Sequence, residues 1–406
     1  MDPAFRRTLV SLSVSFALMW AAVSMVAGPG SAALVALTGN LSHAGLFIAL
    51  FYVAAAIGAA IGGRLMDRHG RRPVLVAGQL IAAVGYGAAG YAVRALDLPI
   101  FVVGGFLLAA GFGVVNLTRV AAAELFPPQE RGRAVAWVQV SATVGAVVGP
   151  LLLIGSDPLG ALLGRPPLTL VWWLAPPLLV VAALFVLRAE EPLALAKAVA
   201  SPDAAGSAAA PASVPSNGLL LMVGLVALAA SQASMAAVMG VAGAAVAHTG
   251  HGVRTLGLLM LVHFVGMFGL SRLVGRVADR VGRRTTILSG LVLLAVGGAV
   301  IALVGNVWGF AVGLLLSGLG WSFGFIGATV LLTDITVPSR RARIMGRADL
   351  LAQLSAAVVA LGGGVWYAVN GMTGLGVLAI LVVTLPALFL FLVIEGTPGA
   401  YGRQRS

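Results

Sequence analysis

Charged residues are scarce in this sequence. Only 9% of its 406 residues are Asp, Glu, Lys or Arg, and 60% are hydrophobic. An ordinary globular protein has about 25% charged residues. A soluble fold needs a charged surface, so this composition excludes one and predicts that most of the surface faces hydrocarbon.

Cysteine is absent altogether. Its absence excludes disulfide frameworks, thiolate metal sites and cysteine nucleophiles. Zinc-protease, serine-hydrolase and phosphate-loop motifs are also missing in any usable context. We therefore expect no catalytic residue, no metal and no cofactor, and a membrane enzyme or sensor is the least favoured of the possible classes.

Long apolar runs divide the chain into twelve predicted helices, each near the ~20 residues that cross a bilayer. A polar stretch rich in Ala, Ser and Pro separates two sets of six and is typical of a flexible linker. The predicted domains are an N-terminal bundle at 1–189, a linker at 190–217 and a C-terminal bundle at 218–406. The predicted spans are 8–28, 43–65, 73–94, 99–124, 134–154, 168–187, 218–240, 254–275, 286–304, 307–333, 344–367 and 373–393.

The net charge of +12 is an orientation signal. With both termini in the cytoplasm, 21 of the 25 basic residues fall on the cytoplasmic side, three (Arg94, Arg165 and Arg254) on the other, and Arg119 inside a span. The positive-inside rule favours this topology, in a bacterial inner membrane. The same distribution argues against nucleic acid as a partner.

The two halves repeat one another. Residues 63–72 (GRLMDRHGRR) match residues 275–284 (GRVADRVGRR) at an offset of 212. Residues 124–133 (ELFPPQERGR) match residues 334–343 (DITVPSRRAR) at an offset of 210. Two long matches at nearly one offset indicate a duplicated six-helix unit, which is common in alternating-access transporters.

The GxLxDRxGRR segment, its weaker copy and the acidic loop after span four resemble the signature loops of the major facilitator superfamily. The resemblance covers the whole chain. It implies an all-α polytopic membrane protein with two pseudo-symmetric six-helix bundles, which works as a secondary transporter and not as an enzyme.

The loop residues make a charged cluster on their own chemistry. Gly63 is expected to permit close helix contact and Gly70 a tight turn. Asp67 can be held by an arginine or a helix N-terminus, which makes a breakable latch between the bundles. The alternative is a topology signal without a gating role. By resemblance, the predicted gating residues are Gly63, Asp67, Arg68, Gly70, Arg71, Arg72, Glu124, Arg131, Gly275, Asp279, Arg280, Gly282, Arg283, Asp334 and Arg341.

Span five carries Gly145, Gly149 and Pro150, which partly resemble a motif of drug and proton antiporters in the same superfamily. The match is incomplete, because Ala136 stands where that motif has an earlier glycine. Small residues at this spacing predict close helix packing. Whether they also indicate efflux stays open.

Polar groups inside a span are functional candidates by default. Asn116 and Arg119 are predicted to share a helical face and to bind substrate, the alternative for Arg119 being a structural role. His263 lies near the middle of span eight and could carry a proton or bind substrate. Its alternative is a neutral histidine bonded to a neighbouring helix.

Two further positions complete the predicted site. Asp349 in span eleven is a candidate proton carrier or a structural ion-pair partner, and Gln353 lies one turn further on. Gln232 in span seven is a candidate substrate contact, with Ser231 beside it.

Spans one, seven and ten have no carboxylate at mid-depth. A mostly apolar cavity favours an amphipathic or anionic ligand over a sugar. The sequence therefore predicts a monomeric, proton-coupled exporter of a small amphipathic compound. A uniporter or symporter that imports an organic anion or metabolite is the alternative.

Overall fold

The computed structural model describes residues 3–126, 131–191 and 218–395, and these are almost entirely helical. The first half contains α1 (Pro3–Val26), α2 (Pro29–Thr38), α3 (Leu46–His69), α4 (Arg71–Ala95), α5 (Leu98–Val115), α6 (Thr118–Glu124), α7 (Arg131–Leu163) and α8 (Pro167–Arg188). The second contains α9 (Gly218–His248), α10 (Val253–Phe264), α11 (Ser271–Val281), α12 (Arg283–Val304), α13 (Val307–Asp334) and α14 (Pro338–Glu395). The predicted linker lies, from residue 192 onward, outside the described residues.

Twelve membrane spans are present in the described part of the chain. Ten helices are long and apolar enough to cross a membrane, and the bent pair Val253–Gly269 and Leu273–Val281 adds one more. The longest run, Arg343–Leu392, is divided by Gly371, whose φ of 59° and ψ of −153° are not helical. Its two arms are separate spans, and the predicted fold class is confirmed.

One predicted span contains a local turn and another is bent. The helix predicted at 99–124 is confirmed as the span Leu98–Glu124, in which a turn at Asn116 and Leu117 separates α5 from α6. The helix predicted at 254–275 is interrupted by a π-helical turn at Val265–Gly269. Such turns inside α-helices are frequent at functional sites, and non-helical backbone at membrane depth needs partners within the protein.

The predicted helices that end at residues 154 and 240 were too short, since α7 continues to Leu163 and α9 to His248. The span predicted at 8–28 ends at Val26, and the separate short helix α2 follows it to Thr38. Each of the helices α2, α7 and α9 ends at or close to a glycine with left-handed backbone, namely Gly39, Gly164 and Gly250. Glycine in this conformation is a common helix terminator, so the three glycines could have been used to predict these helix ends from the sequence.

Equivalent helix pairs in the two halves pack through glycine. In the pair α4 and α5, a Cβ at Gly85 would lie closer to the Leu108 backbone than any real contact allows. In the pair α12 and α13, a Cβ at Gly290 would meet the Gly324 backbone in the same way. Small residues let membrane helices approach backbone to backbone. The same close glycine packing is therefore present in both halves of the repeat.

Packing divides the chain into two compact units, Met1–Ala209 with Gly240–Leu261, and Ala210–Met239 with Val262–Ser406. In the first unit the backbone N–H of Ala244 donates to Ser31 Oγ at 3.2 Å. Leu256 of α10 packs onto Gly28 there. This division follows contacts, whereas the predicted domain boundaries follow the duplication and stay a prediction.

Candidate functional site: two charged clusters and a sparse polar interior

The first charged cluster consists of Asp67, Arg71 and Glu124. Gly70, with φ +88° and ψ 171°, makes the expected turn between α3 and α4. Arg71 then donates from Nη2 and Nε to the two oxygens of Glu124, at 2.7 and 2.8 Å. Asp67 lies further away, 3.5 Å from Arg71 Nη1, and is 76% exposed. A bidentate, mostly buried pair therefore ties α4 to α6.

Glu191 belongs to this cluster and the sequence did not single it out. Its carboxylate accepts the backbone N–H groups of Arg71 and Arg72, at 2.7 and 3.0 Å. These are unsatisfied donors of the first turn of α4, and a helix N-terminus favours a negative charge. The neighbouring Glu190 pairs with Arg7 of α1 at 2.7 Å. An acidic pair directly after the last span of a half was the available signal.

The second charged cluster consists of Asp279, Arg283 and Asp334, the repeat mates of the first. Gly282 has φ +86° and makes the same turn. Arg283 Nε donates to Asp334 Oδ2 at 2.9 Å, and Asp279 lies 4.0 Å away. Here the arginine and Asp334 are 32% and 49% exposed, against 13% and 20% for Arg71 and Glu124. The second charged cluster is therefore joined by fewer hydrogen bonds and is more exposed to solvent than the first.

Other predicted gating residues are less engaged. Arg68 and Arg280 are exposed. Arg72 donates to the carbonyl of Leu187 at the end of α8. The side chains of Arg131 and Arg341 lie outside the described parts of the structure.

The expectation for Gly63 was wrong. A Cβ there would meet nothing within 4 Å among the described residues, and the same holds at Gly275. Close contact occurs five residues earlier, at Gly58, whose Cβ would overlap the carbonyl of Ala110 in α5. The register of the helix, which the sequence motif does not define, decides which glycine faces the neighbour.

Gly145 and Gly149 of α7 pack on α1. A Cβ at Gly145 would overlap the carbonyl of Ala17, and one at Gly149 would overlap Ser24 Oγ. Ser24 Oγ also donates to the carbonyl of Gly145 at 3.3 Å. The predicted close packing is thus present, and α7 continues through Pro150 to Leu163.

Asn116 and Arg119 lie on either side of the break between α5 and α6. Arg119 is half-buried, and its Nε donates to the carbonyl of Asn116 at 3.3 Å. Asn116 keeps right-handed helical backbone, with φ −62° and ψ −19°, so the shared helical face of the two residues stays a prediction. Because the break frees backbone groups inside a span, a guanidinium close to a main-chain carbonyl helps to satisfy them.

His263 is fully buried in α10. Its Nδ1 lies 2.8 Å from the carbonyl of Leu314 in α13. A carbonyl only accepts, so Nδ1 carries the proton and Nε2 is the acceptor of the neutral ring. Nε2 is buried and has no hydrogen-bond partner among the described residues. This nitrogen is where a further proton would bind.

The α14 candidates differ in burial. Asp349 is exposed, whereas Gln353 is half-buried. The Oε1 atom of Gln353 is buried and accepts no hydrogen bond within the described structure. Only the glutamine therefore has an unused polar atom inside the protein.

Aromatic side chains form a cluster in each unit, and the sequence had not predicted this. In the first unit, Phe112 of α5 lies 5.5 Å from Trp20 of α1 and 5.2 Å from Phe51 of α3. These centroid distances and inclined rings are typical of favourable aromatic pairs. We call these three residues the first aromatic cluster.

The second aromatic cluster contains Phe268, Trp321 and Phe325. Trp321 stacks on Phe325 at 4.7 Å and meets Phe268 edge-on at 5.8 Å. Its Nε1 donates to Gln232 Oε1 of α9 at 2.6 Å. Gln232, predicted as a substrate contact, is thus held by an indole ring.

The repeat relates these positions. At the offset of 212, Trp20 corresponds to Gln232 and Phe51 to His263. The side chains at these two helix positions are therefore aromatic in the first half and polar in the second. Within the second unit, the stacked rings of Trp321 and Phe325 beside Gln232 can bind a flat apolar surface and one polar group.

Known proteins resemble this chain along its whole length. The model of the Major Facilitator Superfamily matches residues 9–231 and again 221–405. The MFS-type transporter YdeG of Bacillus subtilis is 32% identical over 365 residues, which cover 87% of this chain and 84% of YdeG. The riboflavin transporter RfnT of Brucella anthropi is 30% identical over 361 residues, 86% of each chain.

Solved structures agree on the fold. A partially occluded, inward-open form of the xylose transporter XylE from E. coli superimposes with a TM-score of 0.74. It covers 99% of this chain and 100% of XylE at 16% identity. The human organic anion transporter MFSD10 gives a TM-score of 0.61 at 18% identity, over 96% of this chain and all of that one. At such identities the likeness concerns the fold alone.

Proposed function

The chain belongs to the Major Facilitator Superfamily, and we propose that it exports a small amphipathic organic compound by proton-coupled alternating access. The observation that carries this proposal is the pair of aromatic clusters with few polar groups beside them. A sugar needs many hydrogen-bonding side chains, whereas an amphipathic ring system needs aromatic faces and one or two polar contacts.

The contacts of Trp321 support an aromatic ligand surface. Its indole N–H is already bonded to Gln232, so the ring offers a flat face and no free donor. Phe112 in the first unit likewise contributes only ring surface. Selectivity in such a site depends on shape and on the few polar atoms nearby.

Proton coupling is assigned to His263 and Asp349. The acceptor Nε2 of His263 is buried beside α13 and takes no hydrogen bond from the described residues. A proton bound there would place a positive charge inside the membrane, which is costly without a compensating change. Such a cost can couple protonation to a change between two conformations.

The two charged clusters are assigned to the conformational switch, as the superfamily's signature loops imply. Each joins helices of one unit through an arginine. We place both termini in the cytoplasm of a bacterial inner membrane, since the basic residues follow the positive-inside rule. A monomer is the proposed state.

Import of a metabolite is the second candidate, and the relative RfnT supports a metabolite as the ligand. That protein is named a riboflavin transporter, and riboflavin has a flat ring system that would suit the aromatic clusters. A flavin-like compound is therefore the first ligand to try for either direction.

Proteoliposomes with an imposed pH gradient separate these functions. Riboflavin and a panel of amphipathic dyes are loaded inside or outside, and flux is followed with and without the gradient. Proton-coupled export predicts uphill movement only when protons flow the opposite way. Equal downhill flux with and without a gradient would contradict coupling, and uphill co-transport with protons would support the importer.

Ligand binding is tested separately by tryptophan fluorescence. A ligand on the second aromatic cluster should change the emission of Trp321, so Trp321→Phe should remove most of the response. Trp308, 77% exposed at the start of the same helix, supplies the control Trp308→Phe. Equal loss in both variants would reject the aromatic site.

A further inference from the structure

A cavity of about 560 Å³ opens between the start of α1 and the end of α8, and none of its lining residues belongs to an aromatic cluster. Arg7, Val10 and Ser11 line it from α1, and Phe185 and Arg188 line it from α8. The two helix ends lie together, because Arg7 is 2.7 Å from Glu190, which follows α8. By the topology proposed above, this is the cytoplasmic edge of the membrane.

The cavity wall is cationic at one end and apolar at the other. Arg188 lies over the ring of Phe185, 5.7 Å from its centroid, and no carboxylate of the described residues pairs with it. Arg7 shares its charge with Glu190. Val10 is 51% exposed and extends the apolar wall into the membrane. A positive charge therefore remains next to a hydrocarbon-facing surface.

Ser11 supplies an unused polar group. The residue is only 5% exposed, and its hydroxyl makes no hydrogen bond with any described residue. Its neighbours along α1 are satisfied: Thr8 Oγ1 accepts from the backbone of Glu190, and Ser15 Oγ accepts from Gln79. The Ser11 hydroxyl lines the cavity and is therefore available to a hydrogen-bonding group of an occupant.

The duplication shows that these groups are not part of the shared framework. At the offset of 212, the mates of Arg7 and Ser11 are Leu219 and Val223. The equivalent positions of the second half are therefore apolar. Neither the fold nor the repeat requires a basic and a hydroxyl side chain here.

We propose that this cavity binds one acidic glycerophospholipid of the cytoplasmic leaflet. The guanidinium groups of Arg7 and Arg188 bind the phosphate, and the Ser11 hydroxyl bonds a glycerol or ester oxygen. The acyl chains run along Val10 and Phe185. Arginine forms strong, charge-assisted bonds to phosphate, and basic pockets at the cytoplasmic side of spans suit anionic headgroups.

The test is a titration of delipidated, full-length protein in detergent, followed by native mass spectrometry. Phosphatidylglycerol, phosphatidylethanolamine and soluble glycerol 3-phosphate are compared. We expect one phosphatidylglycerol to bind about tenfold more tightly than phosphatidylethanolamine, the equivalent of one charge-assisted contact. Glycerol 3-phosphate, which lacks acyl chains, should bind far more weakly.

Two variants test the site in different ways. Arg188→Gln removes an exposed charge, and Ser11→Leu fills the cavity with every charge kept. Each should weaken phosphatidylglycerol binding about tenfold. Arg6→Ala is the matched control, since Arg6 is exposed on the same turn of α1 and does not line the cavity. Its binding should be unchanged.

Three results would overturn the proposal. One is unchanged phosphatidylglycerol affinity in both Arg188→Gln and Ser11→Leu. Another is an equal loss in Arg6→Ala, which would show general charge attraction. The third is glycerol 3-phosphate binding as tightly as the lipid, which would make this a site for a soluble phosphate. Arg188→Gln changes an exposed side chain, so its folding, checked by thermal unfolding, should match the wild type.

Discussion

Replacing Glu124 by glutamine should separate the two charged clusters, because only the first is a mostly buried bidentate pair. Glutamine keeps the shape but offers Arg71 one acceptor oxygen instead of two, and no charge. Breaking a fully buried ion pair costs about 3–5 kcal/mol. Arg71 keeps its bond to the carbonyl of Met66 and its contact with Asp67. We therefore expect a loss of about 1.5–3 kcal/mol.

The repeat supplies the control for this change. In Asp334→Asn the lost pair is half-exposed and joined by one bond of 2.9 Å. Exposed pairs contribute about 0.2–1 kcal/mol. Glu124→Gln should thus lower the free energy of unfolding more than Asp334→Asn does, although the two substitutions are chemically alike.

Thermal and denaturant unfolding of purified protein, followed by tryptophan fluorescence, measures the difference. A lower midpoint for Glu124→Gln, with Asp334→Asn near the wild type, is the expected result. Equal midpoints for the two variants would refute the argument from burial. That result would mean that the burial and geometry of the two ion pairs do not determine how much each contributes to the free energy of unfolding.

Three further predictions concern transport in proteoliposomes. Asp67→Asn should cripple flux while leaving the unfolding midpoint nearly unchanged, because its contact is long and exposed, and Asp279→Asn should do less; wild-type flux in Asp67→Asn would remove the gating role. His263→Gln or Asp349→Asn should abolish uphill transport and spare downhill exchange, and intact coupling in both single variants and in the double variant would favour a uniporter. Arg119→Ala should weaken binding of an anionic ligand far more than of a neutral analogue, whereas equal losses measured in folded protein would assign Arg119 to the helix break alone.

The spans and the charged clusters could be predicted from the sequence, for physical reasons. Each span needs about 20 apolar residues whatever surrounds it, and the motif places its charges beside an obligatory glycine turn. The sequence did not decide which arginine pairs with which carboxylate, and the structure shows that Arg71 pairs mainly with Glu124.

The local turn in one span and the bend in another could not be predicted in this way. The turn at Asn116 and Leu117 has no glycine or proline to mark it, and the bond from Arg119 to the carbonyl of Asn116 lies within this one turn. The π-helical turn after His263 depends on the packing of α13. Local helix propensity does not predict either the turn at Asn116 and Leu117 or the π-helical turn, because tertiary contacts can override it.

Where the two halves differ is informative about function. The glycine-mediated packing of α4 on α5 recurs in α12 on α13, so the framework constrains both copies alike. At the positions of Trp20 and Gln232, and of Phe51 and His263, the framework is shared but the side chains are not. Because neither difference is needed to build the bundles, we propose these positions as candidates for ligand and proton binding. The same reasoning applies to Ser11, whose mate is a valine. Divergence on a conserved backbone position therefore points to chemistry, and it directs mutagenesis to these sites first.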